Sequence, residues 1–271
     1  MPSNVVVITT EEASEVYLAR VREAYTKVYS KLLKPDTSLD IKCVSPGLSR
    51  VPDIDYSYFR FLNKGSIIER FIEAEKEGYD AVMVHCFADT GVHEAREILK
   101  IPVLGTGESS MLLACQLGSK FGIVTENSPG VVREIETNIK LYGLQDRAIP
   151  TPVRRFSAPI RDEYVVWMDD PKLMVPDLMD KAEELVKDGA EVIIIGCGGL
   201  APLATLRGVA KVREKDIPIL DCVAITLKTA EMMVDLRTNL GIPVTSRAST
   251  YAQPSEKDIA RVRAEFGLAE I

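Results

Sequence analysis

The sequence is poor in the side chains on which most hydrolytic and metal sites depend. Of 271 residues only two are histidine, His85 and His93. That argues against a His-dependent triad and against a multi-histidine metal site. The five cysteines, at 43, 86, 115, 197 and 222, are odd in number and form no close C-x-x-C pair, so neither a disulfide framework nor a zinc centre is expected. No lysine/arginine cluster offers a nucleic-acid face, and the net charge of −7 points the same way. No run approaches the roughly 18 apolar residues of a membrane helix. The opening Met-Pro-Ser-Asn-Val-Val-Val-Ile lacks the basic leader and the length of a signal peptide. These absences leave a cytoplasmic globular protein with free thiols, partnered by a small molecule rather than by nucleic acid or membrane. The length suggests about two domains of ordinary size.

What is present is a pattern stated twice. The first copy is Gly78-Tyr-Asp-Ala-Val-Met-Val-His-Cys86, a helical stretch, then Ile101-Pro-Val-Leu-Gly105. The second is Gly189-Ala-Glu-Val-Ile-Ile-Ile-Gly-Cys197, a helical stretch, then Ile217-Pro-Ile-Leu-Asp221. Each is a glycine turn, a four-residue apolar strand and a cysteine just past the strand's C-terminal end. Such a duplication can set two thiols on opposite walls of one cleft.

Apolar runs bounded by glycine, proline or asparagine alternate with stretches of helical period. The first half reads as strand 5–8, helix 11–33 with an apolar stripe through Val16, Ala19, Tyr25 and Val28, strand 39–44, a long loop 45–62, helix 64–77, strand 81–84, helix 90–99 and strand 103–104. The second reads as strand 121–124, helix 129–141, strand 148–152, helix 173–187, strand 192–195, a further helix and strand 219–220. Helices 225–236 and one from about 254 close the chain. The alternation predicts an α/β fold with two four-stranded parallel sheets covered on both faces. Such sheets bind ligands at the carboxyl ends of their strands. Thr9 and Thr10, Thr125, Cys86, Cys197, Gly105-Thr-Gly-Glu108 and Asp221 all fall there.

Cys197 lies in Gly196-Cys-Gly-Gly-Leu200. The glycines let backbone N–H groups come close to a ligand. A helix starting there would lower the thiol's pKa from its ordinary ~8.5. The plain alternative is a buried cysteine in a tight turn. Cys86 lies in His85-Cys-Phe-Ala-Asp-Thr-Gly91, where Asp89 or Thr90 suits the cap of the next helix. His85 alternates off the face of Cys86 and reads as a packed histidine able to tune the thiolate; His93 reads as a surface residue. Core packing is expected of Cys43, Cys115 and Cys222. Asp221 reads equally as a substrate contact or a helix cap. Tyr56, Tyr58, Phe59 and Phe61 suit a cleft cover, a subunit contact or core staples.

Five segments together resemble the aspartate/glutamate racemase superfamily, and within it the hydantoin and allantoin racemases. They are Cys86-Phe-Ala-Asp-Thr-Gly91, Pro102-Val-Leu-Gly-Thr-Gly-Glu108-Ser, Gly196-Cys-Gly-Gly-Leu200, Pro218-Ile-Leu-Asp-Cys-Val223 and Thr245-Ser-Arg-Ala-Ser-Thr-Tyr-Ala252. The resemblance implies two flavodoxin-like lobes related by a pseudo-twofold axis, with the active site between them. Residues 1–117 plus 225–271 would form lobe one, with Cys86, and residues 118–224 lobe two, with Cys197. It also implies no cofactor, a homo-oligomer, and the two cysteines as acid and base. The start of the chain departs from the pattern: hydantoin racemases typically carry Asn-Pro-Asn-Thr after strand one, and here the residues are Thr9-Thr10-Glu11.

The expected activity is therefore cofactor-independent racemisation of a hydantoin-like compound by two-cysteine 1,1-proton transfer. Sulphurs that each approach the carbon to about 3–3.5 Å would stand roughly 7 Å apart. Thr9, Thr10, Phe87, Ala88, Thr125, Gly198 and Gly199 are the expected substrate contacts, with backbone N–H groups steadying an enolate oxygen. The same lobes serve maleate isomerase-like and arylmalonate decarboxylase-like enzymes, which need one cysteine. A two-lobed small-ligand-binding protein would leave the paired thiols without a purpose.

Overall fold

The computed structural model describes residues 3–10, 12, 15–158, 167 and 169–271. Strands β1 (Ser3–Ile8), β2 (Thr37–Lys42), β3 (Ala81–Val84) and β4 (Val103–Leu104) form one parallel sheet in the order β2-β1-β3-β4. Strands β5 (Phe121–Thr125), β6 (Ala148–Arg155), β7 (Val192–Ile195) and β8 (Ile219–Asp221) form a second, in the order β6-β5-β7-β8. The helices are α1 (Glu15–Tyr29), α2 (Ser57–Lys76), α3 (Val92–Ile98), α4 (Thr106–Leu117), α5 (Pro129–Leu141), α6 (Val175–Lys187), α7 (Ala201–Leu206), α8 (Cys222–Leu240) and α9 (Glu256–Glu265). The two-lobed α/β architecture read from the sequence is the one observed.

The repeat is exact in register. Ile8 pairs with Val84 in the first sheet, and Val124 with Ile195 in the second. Leu104 pairs with Met83, and Leu220 with Ile194. Thr9 thus corresponds to Thr125, Thr10 to Glu126, His85 to Gly196, Cys86 to Cys197 and Gly105 to Asp221. Strands β3 and β7 are buried at every position, as parallel strands covered on both faces must be. The turns that launch them use Gly78 and Gly189, at φ +89° and +100°; a Cβ would meet nothing within 4 Å at either, so the left-handed backbone and not space requires glycine.

Several boundaries differ from expectation. The long loop is shorter than predicted: a 3₁₀ turn occupies Val51–Asp55 and α2 begins at Ser57, without a side-chain cap. Packing supplies what local signals lack. Arg60 donates to the Ile54 carbonyl at 2.6 Å and pairs with Glu134, and Asn63 donates to the Thr10 carbonyl at 2.7 Å. Tyr56, Tyr58 and Phe61 are exposed, so they are not core staples. In α1 the buried stripe runs through Leu18, Val21, Tyr25 and Tyr29, and Ala19 faces out. Glu11, the predicted start of this helix, and the Val16 side chain lie outside the described residues. Strand β6 continues to Arg155 through Pro150 and Pro152, which a sheet-edge strand tolerates. Helix α8 starts at Cys222, three residues early, because Asp221 caps it.

Helix α8 runs from the end of β8 back against α4, β1 and β3. The tail after it is pinned to the first sheet's helices. Arg247 donates to the carbonyls of Arg96, Glu97 and Leu99 at the end of α3, and Arg263 forms a two-pronged pair with Glu69. Among the described residues no helix is long and apolar enough to cross a membrane.

Candidate active site

The residues singled out in the sequence converge on one end of the two sheets. Thr9 and Thr10 follow β1 and are buried; Cys86, Phe87 and Ala88 follow β3 and are buried; Thr125 ends β5; Cys197, Gly198 and Gly199 follow β7. The two cysteine turns leave their strands with the same backbone bonds and then part, Asp89 turning left-handed at φ +53° where Leu200 stays right-handed at −89°. His85 N–H donates to the Ile8 carbonyl and Gly196 N–H to the Val124 carbonyl, each at 2.8 Å. Asp89 N–H then returns to the Cys86 carbonyl at 3.0 Å, and Leu200 N–H to the Cys197 carbonyl at 3.2 Å.

The two turns touch. A Cβ on Gly198 would stand 2.5 Å from the His85 carbonyl oxygen, and one on Gly196 would stand 3.2 Å from the Phe87 ring. The glycines beside Cys197 therefore admit the neighbours of Cys86. The sequence suggested that they admit a ligand; Gly198 lies against protein. Thr125 is fully buried, and its hydroxyl sits 2.6 Å from both the Gly196 carbonyl and Glu126 Oε2, so it fastens the Cys197 turn to β5.

Electrostatics separate the thiols' surroundings from the expectation. Burial pushes the Cys197 thiol well above the ordinary range, and the neighbouring Glu126 carboxyl disfavours a thiolate further; the backbone N–H groups of Leu200 and Gly199 pull the other way. Only the second influence was legible in the sequence, and it is modest because α7 begins at Ala201 and spans just six residues. Cys222 is fully buried beside the Cys197 backbone, and burial raises its thiol too.

Asp89 does not cap α3, whose N-cap is Gly91 with no side-chain bond. It reaches instead to the start of α4, accepting from Gly107 N–H and Glu108 N–H at 2.8 Å each, and from the Tyr142 hydroxyl at 2.7 Å. Burial lifts its carboxyl to about 7 despite these donors. The same two positions of α8, Val223 and Ala224, donate to Asp221. Asp221 also accepts from Tyr29 and Thr205, which commits it to capping.

His85 is packed as expected; burial holds its ring down at about 4, hence neutral. His93 is not a surface residue: it is half-buried, stacked on Tyr251, with Nδ1 2.7 Å from that hydroxyl. Sequence reasoning passed over Glu126, a buried carboxyl against Cys197. Its only signal was the repeat, which aligns it with Thr10. From α5, Asn138 donates to the Ala88 carbonyl at 2.8 Å, tying the Cys86 turn to the other lobe. Among the described residues no group of three or more His, Cys, Asp or Glu side chains is placed to hold a metal ion.

Residues 5–230 match the family described as Asp/Glu/Hydantoin racemase. A hydantoin racemase of Pseudomonas sp. (strain NS671) is 32% identical over 228 residues, which cover 84% of this chain and 85% of that protein. A hydantoin racemase of Rhizobium meliloti is 30% identical over 190 residues, 69% of this chain and 72% of that protein. The solved allantoin racemase from Klebsiella pneumoniae superposes with a TM-score of 0.75 at 23% identity, covering 93% of this chain and 94% of its own; that likeness is one of fold.

Proposed function

Because the chain belongs to the Asp/Glu/hydantoin racemase family and the hydantoin racemases similar to it are isomerases, we propose that it racemises a hydantoin-like substrate (a 5-substituted hydantoin, allantoin or a related carbonyl compound) by proton transfer between Cys86 and Cys197. The observation that supports this reading is the contact between the two cysteine turns, which come from opposite lobes and from matching strand ends. We take residues 1–117 with 225–271 as one lobe and 118–224 as the other.

One thiol must enter the cycle ionised and the other protonated. The thiolate removes the proton beside a carbonyl from one face, and the thiol delivers a proton to the opposite face. The intermediate is an enolate-like anion, and a hydantoin ring spreads its charge better than a free carboxylate does. Gly199 and Leu200 N–H groups, which already favour charge at Cys197, suit the thiolate of that half. The reading needs no cofactor, and a cytoplasmic homo-oligomer belongs to it.

Cys86→Ser and Cys197→Ser should each abolish racemisation, followed by loss of optical rotation and by solvent deuterium entering one stereocentre in D₂O. The substrate panel is 5-substituted hydantoins, allantoin, maleate and amino acids. Full turnover in both directions by either variant would sink the two-thiol mechanism and point to one-cysteine isomerase or decarboxylase chemistry.

A further inference from the structure

Glu126 is a buried carboxyl with no part in the proton transfer between the two thiols; a role for it depends on Cys197 being a reacting thiol. The Thr125 hydroxyl lies 2.6 Å from the Gly196 carbonyl and 2.6 Å from Glu126 Oε2. A hydroxyl has one proton to donate, and a carbonyl has none. Thr125 therefore donates to Gly196, and the proton in the second contact comes from Glu126. Glu126 is then a neutral carboxylic acid. Its burial, at 8% exposure, favours the same form and raises its pKa. This carboxyl is near enough to Cys197 for each to shift the other's protonation, and the Thr125 hydroxyl links it to the Gly196 carbonyl, one residue before that cysteine.

We propose that Glu126 is a positioning residue for Cys197, working as a neutral acid: its O–H donates to Thr125, Thr125 donates to the Gly196 carbonyl, and the carboxyl's remaining lone pairs accept the Cys197 S–H. The chain of bonds fixes the direction of the thiol and assigns the resting proton to Cys197, so Cys86 starts as the base. When Cys197 protonates carbon, its S–H bond breaks, the new C–H bond forms, and the electron pair stays on sulphur. Glu126 keeps its own proton throughout. The new thiolate then faces a neutral acid, where a carboxylate would set two negative charges together in the interior. Thr10 holds the equivalent place in the first half, so the two thiols are furnished differently.

Three measurements on the full chain test this. The infrared difference spectrum of wild type minus Glu126→Gln, taken without substrate near neutral pH, should show the carbonyl stretch of a protonated carboxylic acid. Glu126→Gln, neutral and able to make the same donor and acceptor bonds, should keep kcat within about threefold, whereas Glu126→Ala should lower kcat by about 10- to 100-fold with little change in KM. Iodoacetamide should label Cys86 faster than Cys197. A carboxylate band in place of the acid stretch, a Gln variant as impaired as the Ala variant, or faster labelling of Cys197 overturns the proposal. The infrared and labelling results need no turnover, so they stand apart from the cysteine-to-serine test of the function itself.

Discussion

The two cysteine turns leave their strands alike, diverge in backbone three residues after the cysteine, where Asp89 is left-handed and Leu200 right-handed, and differ in almost every side chain. One reads His85-Cys86-Phe87-Ala88 and the other Gly196-Cys197-Gly198-Gly199. The bulk of the first fits the emptiness of the second: Phe87 lies against Gly196, and the His85 backbone against Gly198. The helix caps diverge in the same way. Asp221 caps α8 from the position just before it, but the corresponding residue ahead of α4 is Gly105, and Asp89 of the cysteine turn reaches over to do that work. A Cβ on Gly105 would stand 2.5 Å from the Asp89 carboxyl carbon. The duplication thus preserved where the thiols go and exchanged how they are held. One turn is anchored through its own carboxylate to a helix, and the other through Thr125 and Glu126 to a strand.

The largest effect should come from filling the void that receives His85. In Gly198→Ala the added carbon meets the His85 carbonyl oxygen at 2.5 Å and its carbonyl carbon at 3.1 Å, and backbone cannot rotate away. The turns must separate, and displacement of reacting groups by about an ångström costs on the order of 10²-fold in kcat/KM. Gly196→Ala meets side-chain atoms of Ile123 and Phe87, which have some freedom to shift, so its loss should be smaller. Steady-state kinetics of both variants, with circular dichroism to confirm the fold, would decide; wild-type turnover in Gly198→Ala would show that the interlock is not needed.

Next in size is the borrowed cap. Gly105→Ala should expel the Asp89 carboxyl from the start of α4 and leave Gly107 and Glu108 N–H without their acceptor. Loss of such a cap costs about 1–2 kcal/mol, which urea denaturation reads as a lower midpoint at unchanged slope. Activity should fall as well, because Asp89 is part of the Cys86 turn. An unchanged midpoint would mean that the cap contributes nothing.

The succession of strands and helices, the two four-stranded sheets and the strand ends that carry the thiols were legible because short apolar runs and glycine turns are local signals repeated twice; the order of strands within each sheet was not read from the sequence. The lobes' interlock was not legible, because glycine beside a cysteine says only that space is left, not what fills it. Asp89 was read as the cap of α3 because it precedes that helix; its true partners are 18 and 19 residues away, and Gly105 gave no sign that it was making room. Glu126 was hidden behind Thr125, since a carboxylate at a strand end reads as solvated surface. The start of α2 was missed because Tyr56 cannot cap and the helix is held by Arg60 and Asn63 instead.

The smallest effect concerns pH, where two buried groups of the Cys86 turn oppose each other and the second half's buried carboxyls side with one of them. Asp89 sits at about 7 in the folded chain against a usual 3.8. Between those values the unfolded chain has lost a proton that the folded chain keeps, so this carboxyl makes stability fall as pH rises, and the loss is complete above about 7. His85 sits at about 4 against a usual 6.5, and its ring is neutral when folded. Its contribution is fully present above about 6.5 and is lost as pH falls towards 4. Across the window they share, the two slopes offset each other. Glu126 and Asp221, also raised by burial, slope in the same direction as Asp89. Asp89→Asn removes one slope and leaves His85 in place. Relative to wild type, the variant should therefore gain stability as pH rises from about 5 to about 7.5, by about 1 kcal/mol or more. Urea midpoints at those two pH values read this directly; the same shift with pH in both proteins would mean that Asp89 holds no proton at neutrality and that the borrowed cap is an ordinary carboxylate.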